Sequence, residues 1–557
     1  MKGSSSFQKK VAFILSFNSI FFSFTVLAAP VPPDAGQTSR ELQQQPDMAP
    51  PETSEPVLKE KQESDEVAPD DAVRFQVNSI RVTGSSVFSA GELEALVADL
   101  AGGERTLTEM EAGAGRITDL YRKQGYMVAR AYLPAQDIKD GVVTINVLEG
   151  KVGEVQVNNQ SRLTNQTAKE YLDDIQSGDV LQSKSANRAL LLLGDTPGVG
   201  AAQASLQPGA SVGTTDLIVD LSSSAPFTAN LTADNHGNYY TGERRVSADL
   251  SLISLFKKGD LISLNALTTD QHLTYGRAAF QRAIGSSGLR VGAAHSASRY
   301  RLGKEFSILK AHGSSLSTSL YGVYPFIRSL DQNLNGSVMY ERKKLVDSLT
   351  SSVKRVKLTS LGLSGNRRDS LGGSGLTSFE VMIASGRLSM DDASRTIDLA
   401  SAKSNGNFTK LTYNIKRVQM LPLANSLSVE LSGQRAGKNL NSSEKLYIGG
   451  ADSVRAYPQG EDSGDEGHLV NLELRHSFSS KLQATVFYDA GLVKINRNNY
   501  AAGSNTRYLA GAGIGLDAML AGLHFRADVA WRTSSSDPVS EPSTRIPRLW
   551  LLAGKQF

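Results

Sequence analysis

The 557-residue chain contains no cysteine, which removes disulfides, thiolate nucleophiles and zinc–thiolate centres from consideration. A cysteine-free chain is at ease in an oxidising compartment if it is exported. Charge of one sign is also scarce: 59 Lys and Arg against 56 Asp and Glu leave a formal net charge of +3. No basic stripe interleaved with aromatics stands out, so a nucleic-acid partner has no support. The 7 histidines are scattered, and His468 and His476 flank one strand without a set of metal ligands around them. Past Ala29, no stretch approaches the ~20 apolar residues that a spanning helix needs. A mature chain resident in a membrane must therefore cross it with strands.

Two catalytic-looking motifs fail on context. Gly209, Ser211 and Gly213 fit the spacing of a nucleophile elbow, but that elbow needs a strand-to-helix turn and this segment joins two strands. Gly511, Gly513 and Gly515 have a vaguely nucleotide-binding look, yet a strand follows where a helix should. Small residues facing a barrel lumen account for them better. No enzyme activity, cofactor, metal or nucleotide is read from the chain.

What is present begins with export. Lys2, Lys9 and Lys10 precede an apolar run from Val11 to Leu27 that ends on Ala28 and Ala29, the pattern of a cleaved secretory signal over residues 1–28. Residues 30–73 then hold eight prolines and eleven acids against three Lys or Arg. A stretch so poor in apolar surface predicts a mobile linker over 29–73, with room for a short helix at Ser39–Gln45.

Between residues 74 and 223 one order of elements occurs twice. Phe75 to Val82 alternates as a strand. Ser89 with Glu92, and Thr108 with Glu111, form capping boxes that open two helices, and strands follow over Met127–Leu133 and Gly141–Leu148. The β-α-α-β-β order recurs from Val152, with strands at Val155–Val157, Ala201–Leu206 and Thr215–Leu221 and helices at Ala168–Ile175 and Ser185–Leu193. Two copies of one unit, 74–150 and 151–223, are the economical reading.

Residues 224–557 contain no convincing helix and divide into sixteen strand-like runs, beginning near Phe227, Arg245, Asp260, Leu273, Gly288, Gly313, Leu334, Ser352, Gly375, Gly406, Asn425, Leu469, Lys481, Arg507, Leu523 and Arg548. Val486, Tyr488, Ala490 and Leu492 share one face of their run, and Phe487, Asp489 and Gly491 share the other. One apolar and one polar or glycine face suits a barrel with lipid outside and water inside. Joints alternate between short ones, such as 256–259 and 520–522, and long polar ones, such as 390–405 and the loop 440–468. Outer-membrane barrels join strands in that way, with short periplasmic turns and long external loops. The fold class is an all-β transmembrane barrel of sixteen antiparallel strands, preceded by two α+β units.

This order resembles the two-partner secretion transporters, the hemolysin-activator and filamentous-adhesin exporters of the POTRA-bearing outer-membrane superfamily. Its most specific element is the loop segment Val454, Arg455, Ala456, Tyr457, Pro458, similar to the family's V-R-G-Y loop tip, with Ala456 where the pattern has Gly. A second is Phe487, Asp489, Gly491, similar to the F-x-D-x-G strand motif. The resemblance implies that the loop folds into the barrel and that Arg455 pairs with Asp489 on the inner wall. Alternation independently turns Asp489 inward, and a partly desolvated carboxylate there wants a guanidinium. The last strand ends on Phe557, as outer-membrane barrels do, with Lys555 at a position usually apolar. Implied partners are a large secreted TpsA-type protein, outer-membrane lipid and the barrel-assembly machinery during biogenesis. The implied function is export of that partner, unfolded, from periplasm to cell surface. The rival within the superfamily is a factor that assembles or inserts other barrels; such relatives usually carry three or more POTRA units, and only two fit here.

Overall fold

The computed structural model describes residues 32–42, 58–59, 73–542 and 545–557; the expected signal segment lies outside them. Sixteen antiparallel strands close into a barrel, and each expected start falls within three residues of the observed one. Closure is made by Phe227–Asp234, the first barrel strand, against Arg548–Gln556, the sixteenth, with Asn230 opposite Gln556. Period-2 alternation decides the facing. On the thirteenth strand, Leu482–Lys494, Val486 is 59% exposed and Asp489 is 0% exposed. Apolar side chains thus line the outer wall, as lipid demands.

Joints at one end span at most six residues, such as 254–259 and 521–522. At the other end they include 391–405, 437–465 and 533–547, although 270–273 and 348–351 are also short there. The long-loop end is not free of helix, as the sequence suggested. Asp392–Leu399 is helical because Asp391 caps it, accepting from the Ser394 amide at 2.9 Å; eight residues carry too little periodicity to be read.

The first N-terminal unit departs in detail from its expected order. Its first strand breaks at Asn78, whose amide donates to the Gly141 carbonyl at 2.7 Å. Arg74–Val77 pairs with an extra strand, Gly103–Thr106, while Ser79–Thr83 runs parallel to Val142–Leu148. The second helix, Leu107–Lys123, is capped by Thr106 with Glu109 rather than Thr108 with Glu111. Thr106 ends a strand and so has the extended backbone that an N-cap needs. The strand expected over 127–133 shrinks to Arg130–Tyr132, since the Tyr126 and Ala129 amides are held in turns by Tyr121 and Tyr126 carbonyls. Each unit has its own apolar core: Leu93, Met110, Ile117 and Tyr121 in the first, Leu190, Leu193, Leu217 and Val219 in the second.

In the second unit Lys151–Asn159 lies parallel to Thr214–Ser223, which pairs antiparallel with Val199–Pro208. The outer edge of Val199–Pro208 receives Leu58–Lys59 as a parallel addition, Leu58 opposite Ala204. This unit is bolted to the short-joint end of the barrel. Arg328 grips Asp195 through two hydrogen bonds of 2.6 and 2.8 Å, and Arg188 donates to the Pro325 carbonyl at 3.0 Å.

The N-terminal helix is Ala35–Leu42, not 39–45. Asp34 fixes its start by accepting from the Gln37 amide at 2.8 Å. It lies in the long-loop half of the lumen, where Ala35 and Leu42 pack with Tyr240, Tyr300 and Leu345. This part of the linker is ordered because the lumen supplies partners that its own composition lacks.

Cysteines at Ala393 and Ser504, in two long loops, are expected to react with a membrane-impermeant reagent on intact cells, and one at Ser287, in a short joint, to be silent. Val486→Arg places a cation on the lipid face and is expected to cost roughly 2–4 kcal/mol of barrel stability, read as lost heat-modifiability in the membrane fraction.

Candidate functional site: the loop lock in the barrel lumen

Loop 437–465 does not stand out from the barrel but turns into it. Ile448, Val454, Ala456 and Tyr457 are buried in one cluster with Phe487, Leu469 and Leu509 of the wall. Glycine on the wall makes the room. A side chain at Gly491 would press on Ile448 and Val454 at 3.1–3.3 Å, and one at Gly511 would meet the Ala456 methyl at 2.3 Å. Gly513 likewise leaves space for the Phe487 ring. The alanine that replaces the family's loop glycine is therefore tolerated because residue 511 has no side chain.

At the tip, Arg455 is 2% exposed and Asp489 is 0% exposed. Arg455 donates from Nε and Nη2 to the two Asp489 carboxylate oxygens at 2.8 and 2.7 Å, and its amide donates to Oδ2 at 3.1 Å. Nη1 reaches Glu473 at 2.8 Å, and the guanidinium lies 3.4 Å from the centre of the Phe487 ring. Asn471 completes the carboxylate shell, donating to Asp489 at 2.8 Å and to the Ser453 carbonyl at 2.9 Å. The Trp550 indole donates to the Arg455 carbonyl at 2.7 Å. Burial alone would lower the Arg455 pKa, but the Asp489 hydrogen bonds and charge outweigh it and raise it, so the guanidinium stays charged.

Such a pair is expensive to desolvate and strongly destabilising to break, about 3–5 kcal/mol when one partner is removed. Other contacts pin the loop nearby. The Tyr457 hydroxyl bonds Ser534 Oγ at 2.8 Å and donates to the Ser536 carbonyl at 2.7 Å. Glu461 accepts from the Val539 and Ser540 amides, each at 2.9 Å.

The structure brings together Val454, Arg455, Ala456, Tyr457, Phe487, Asp489 and Gly491, while Pro458 only turns the chain, its carbonyl accepting from the Glu461 amide at 3.2 Å. Phe557 lies apart, 62% exposed on the outer wall, with Lys555 Nζ 4.8 Å from its ring centre. Glu473, Asn471 and Trp550 escaped the sequence reading. Alternation could have turned the first two inward, since Asn471 faces Asp489 and Glu473 faces Phe487 across the twelfth and thirteenth strands. The helix Ala35–Leu42 also belongs to the site: Asp34 accepts from Ser442 Oγ at 2.7 Å, and Gln37 donates to the Gly460 carbonyl at 3.3 Å. Its first amide, Ala35, donates to Asp347 on the wall at 2.7 Å.

Arg455→Ala is expected to loosen the loop more than Asp489→Ala, because it leaves the buried Asp489 carboxylate with Asn471 alone and no counter-charge, whereas the latter leaves Arg455 with Glu473. Proteolysis within 449–461, on folded barrel, should rise in both single variants, and the double variant should fall short of their sum. Strict additivity would mean that the two residues act independently.

Comparison with known proteins supplies the relatives. Residues 213–518 match the family described as haemolysin secretion/activation protein ShlB/FhaC/HecB, and residues 75–150 match a ShlB-type POTRA domain. The chain is 28% identical over 509 residues to the heme/hemopexin transporter protein HuxB of Haemophilus influenzae, covering 88% of each chain. It is 25% identical over 427 residues to the outer membrane transporter CdiB of Dickeya dadantii, covering 72% of each. Among solved structures, CdiB from Escherichia coli superposes with a TM-score of 0.72 at 19% identity, over 89% of this chain and 93% of that one. A matched family model across more than half of the length, over a closed sixteen-stranded barrel with its N-terminal POTRA region in the periplasm, places this chain in the ShlB/FhaC/HecB family of outer-membrane transporters that export a partner protein by two-partner secretion.

Proposed function

We propose that the partner, a large secreted TpsA-type protein, threads the barrel lumen unfolded once the loop tip at Arg455 and the helix Ala35–Leu42 give way. The observation that carries this reading is a lumen cavity of about 420 Å³ that runs from Asp195 and Pro197 of the second POTRA unit, past Arg277 and Glu341, to Arg40 on the helix. Its route joins the periplasmic unit to the obstruction. Charged groups such as Arg277, Arg290 and Glu341 stand among the apolar side chains that line this cavity and offer an extended chain hydrogen bonds along its route. Exposed sheet edges of the POTRA units can receive an extended segment through its backbone. The reaction involves no covalent step, cofactor or nucleotide; folding of the partner outside the cell supplies direction. The outer wall meets outer-membrane lipid, and the strand ending on Phe557 is the part offered to the barrel-assembly machinery during biogenesis. HuxB and the hemolysin transporter ShlB of Serratia marcescens, the latter 24% identical over 384 residues, carry names for different cargoes, so family membership by itself does not fix the cargo of this chain. Deleting this gene should leave that partner in the periplasm and strip it from the medium; unchanged secretion would sink the reading.

The obstruction carries a titratable group. Burial pushes the Glu41 carboxyl from its ordinary 4.5 up to about 7, opposed by the Gln37 hydrogen bond at 2.9 Å and the charge of Arg245. A docked pKa above the free one means that docking takes up a proton. The helix is therefore held most firmly below pH 4.5, and its hold weakens as the pH rises through 7. In planar bilayers, channel openings are expected to be more frequent at pH 8 than at pH 5.5, and Glu41→Gln should flatten that difference.

A further inference from the structure

The outer wall is not uniform around the barrel. Strands seven to nine, Gln332–Asp347, Ser352–Asp369 and Gly375–Met390, are 16, 18 and 16 residues long, well beyond the ~9–11 needed to cross a bilayer. Their outward positions are apolar through the membrane, with Val338 49%, Leu361 62% and Ile383 60% exposed. Immediately above, towards the external loops, the character inverts. Arg342, Lys357 and Arg387 stand directly opposite one another across the three strands, and Lys344 faces Arg355 in the next row. All five side chains are exposed on the outer face.

None of these five cations has a side-chain hydrogen bond or an ion pair among the described residues, and the neighbouring outward positions Thr359, Ser385, Ser389 and Thr409 bring no carboxylate. The opposite rim of the same wall is built differently. There Arg417 is clamped by Asp369 through two hydrogen bonds, each 2.9 Å. Five like charges on adjacent strands repel one another, and at the edge of an apolar band each is held where water is thinned. A cluster in that position calls for an external anion.

The patch also has relief. Tyr340, Lys357, Arg387, Asn407 and Lys438 line an open groove of about 460 Å³ on the outer wall. Lys438 enters from the loop above, held by the Asn405 carbonyl at 2.7 Å. Strands lie about 4.8 Å apart, so the row Arg342, Lys357, Arg387 spans roughly 10 Å. With strands tilted by about 40°, Lys344 stands roughly 10 Å above Tyr340, at headgroup depth.

We propose that this patch is a binding site for the phosphorylated headgroup of an outer-leaflet glycolipid. The phosphates sit against the guanidinium and ammonium groups, where Arg342 and Arg387 can offer two parallel N–H donors each. The sugar lies in the groove beside Asn407 and Thr409, and the acyl chains run down over Tyr340, Val338, Leu361 and Ile383. The site is distinct from the lumen and fixes one side of the barrel to the outer leaflet while the loop and helix inside are free to move.

The test uses the full-length protein, delipidated in detergent and placed in phosphatidylethanolamine nanodiscs. It is titrated with a phosphorylated lipid A-type glycolipid, with the same lipid after phosphatase treatment, and with inorganic phosphate, binding being read by native mass spectrometry. Saturable glycolipid binding is expected. The triple variant Arg342→Gln, Lys357→Gln, Arg387→Gln should weaken it at least about 10-fold while heat-modifiability is kept, and Lys494→Gln, on another side of the barrel, should leave it unchanged. Dephosphorylated lipid should bind the unaltered protein as poorly as the intact lipid binds the triple variant. The proposal is overturned if the triple variant keeps its affinity, if Lys494→Gln loses as much, if removing the phosphates changes nothing, or if inorganic phosphate binds as tightly as the lipid.

Discussion

Arg455 carries its charge into a space almost closed to water, and much of the lumen's upper half is arranged around that fact. A guanidinium so placed is favourable only when its donors and its faces are matched together. Asp489 takes two of its hydrogen bonds, Glu473 a third, and Phe487 covers one face. Asp489 in turn accepts from the Arg455 amide and from Asn471 as well. A network of this kind is strong when complete and costly when partly made. Intermediate positions of the loop tip, with one charge buried and its partner a few ångströms away, are the least favourable. The complete network therefore favours the fully docked tip over any partly engaged position.

The wall pays for this in side chains. Gly491, Gly511 and Gly513 leave the inner faces of the thirteenth and fourteenth strands bare, so that the loop tip and the Phe487 ring can approach the backbone. The barrel's integrity does not suffer, because its stability rests on the closed ladder of backbone hydrogen bonds and the apolar outer face. The helix Ala35–Leu42 leans on the same loop, through Ser442 at its root and Gly460 near its tip. Two obstructions that look separate in the chain, more than 400 residues apart, share contacts and occlude one lumen.

Alternation made the barrel legible, because period-2 faces and joint lengths are local properties of a sequence. It also turned Asp489 inward. Which inward groups complete the Arg455–Asp489 network was not legible: Asn471, which bonds Asp489, and Glu473, which bonds Arg455, come from the neighbouring strand through register, and Trp550 comes from the last strand through the curvature of the wall. The N-terminal helix hid for a different reason. Its residues are polar and few, and its order comes from Asp347, Tyr300 and Leu345 of the wall, far along the chain. In the first POTRA unit two Thr-x-x-Glu boxes competed two residues apart, and the strand ending at Thr106 settled which one caps the helix.

The root of the loop is held as firmly as its tip, but by a different logic. Glu444 is 1% exposed and lies 3.1 Å from Lys343 and 2.8 Å from Lys410, on the seventh and tenth strands. Burial alone would raise its pKa; the two lysines more than offset that and lower it. Withdrawing Glu444 would take from Lys410 its carboxylate partner and leave Lys343 with Glu341, 3.3 Å away. Withdrawing Arg455 leaves Glu473 still paired with Arg475 and Asp489 still hydrogen-bonded to Asn471. The tip is thus the cheaper end to release. In the proposed release, residues 445–465 are the segment that moves, between a root fixed by Glu444 with Lys343 and Lys410 and the start of the twelfth strand at Glu466.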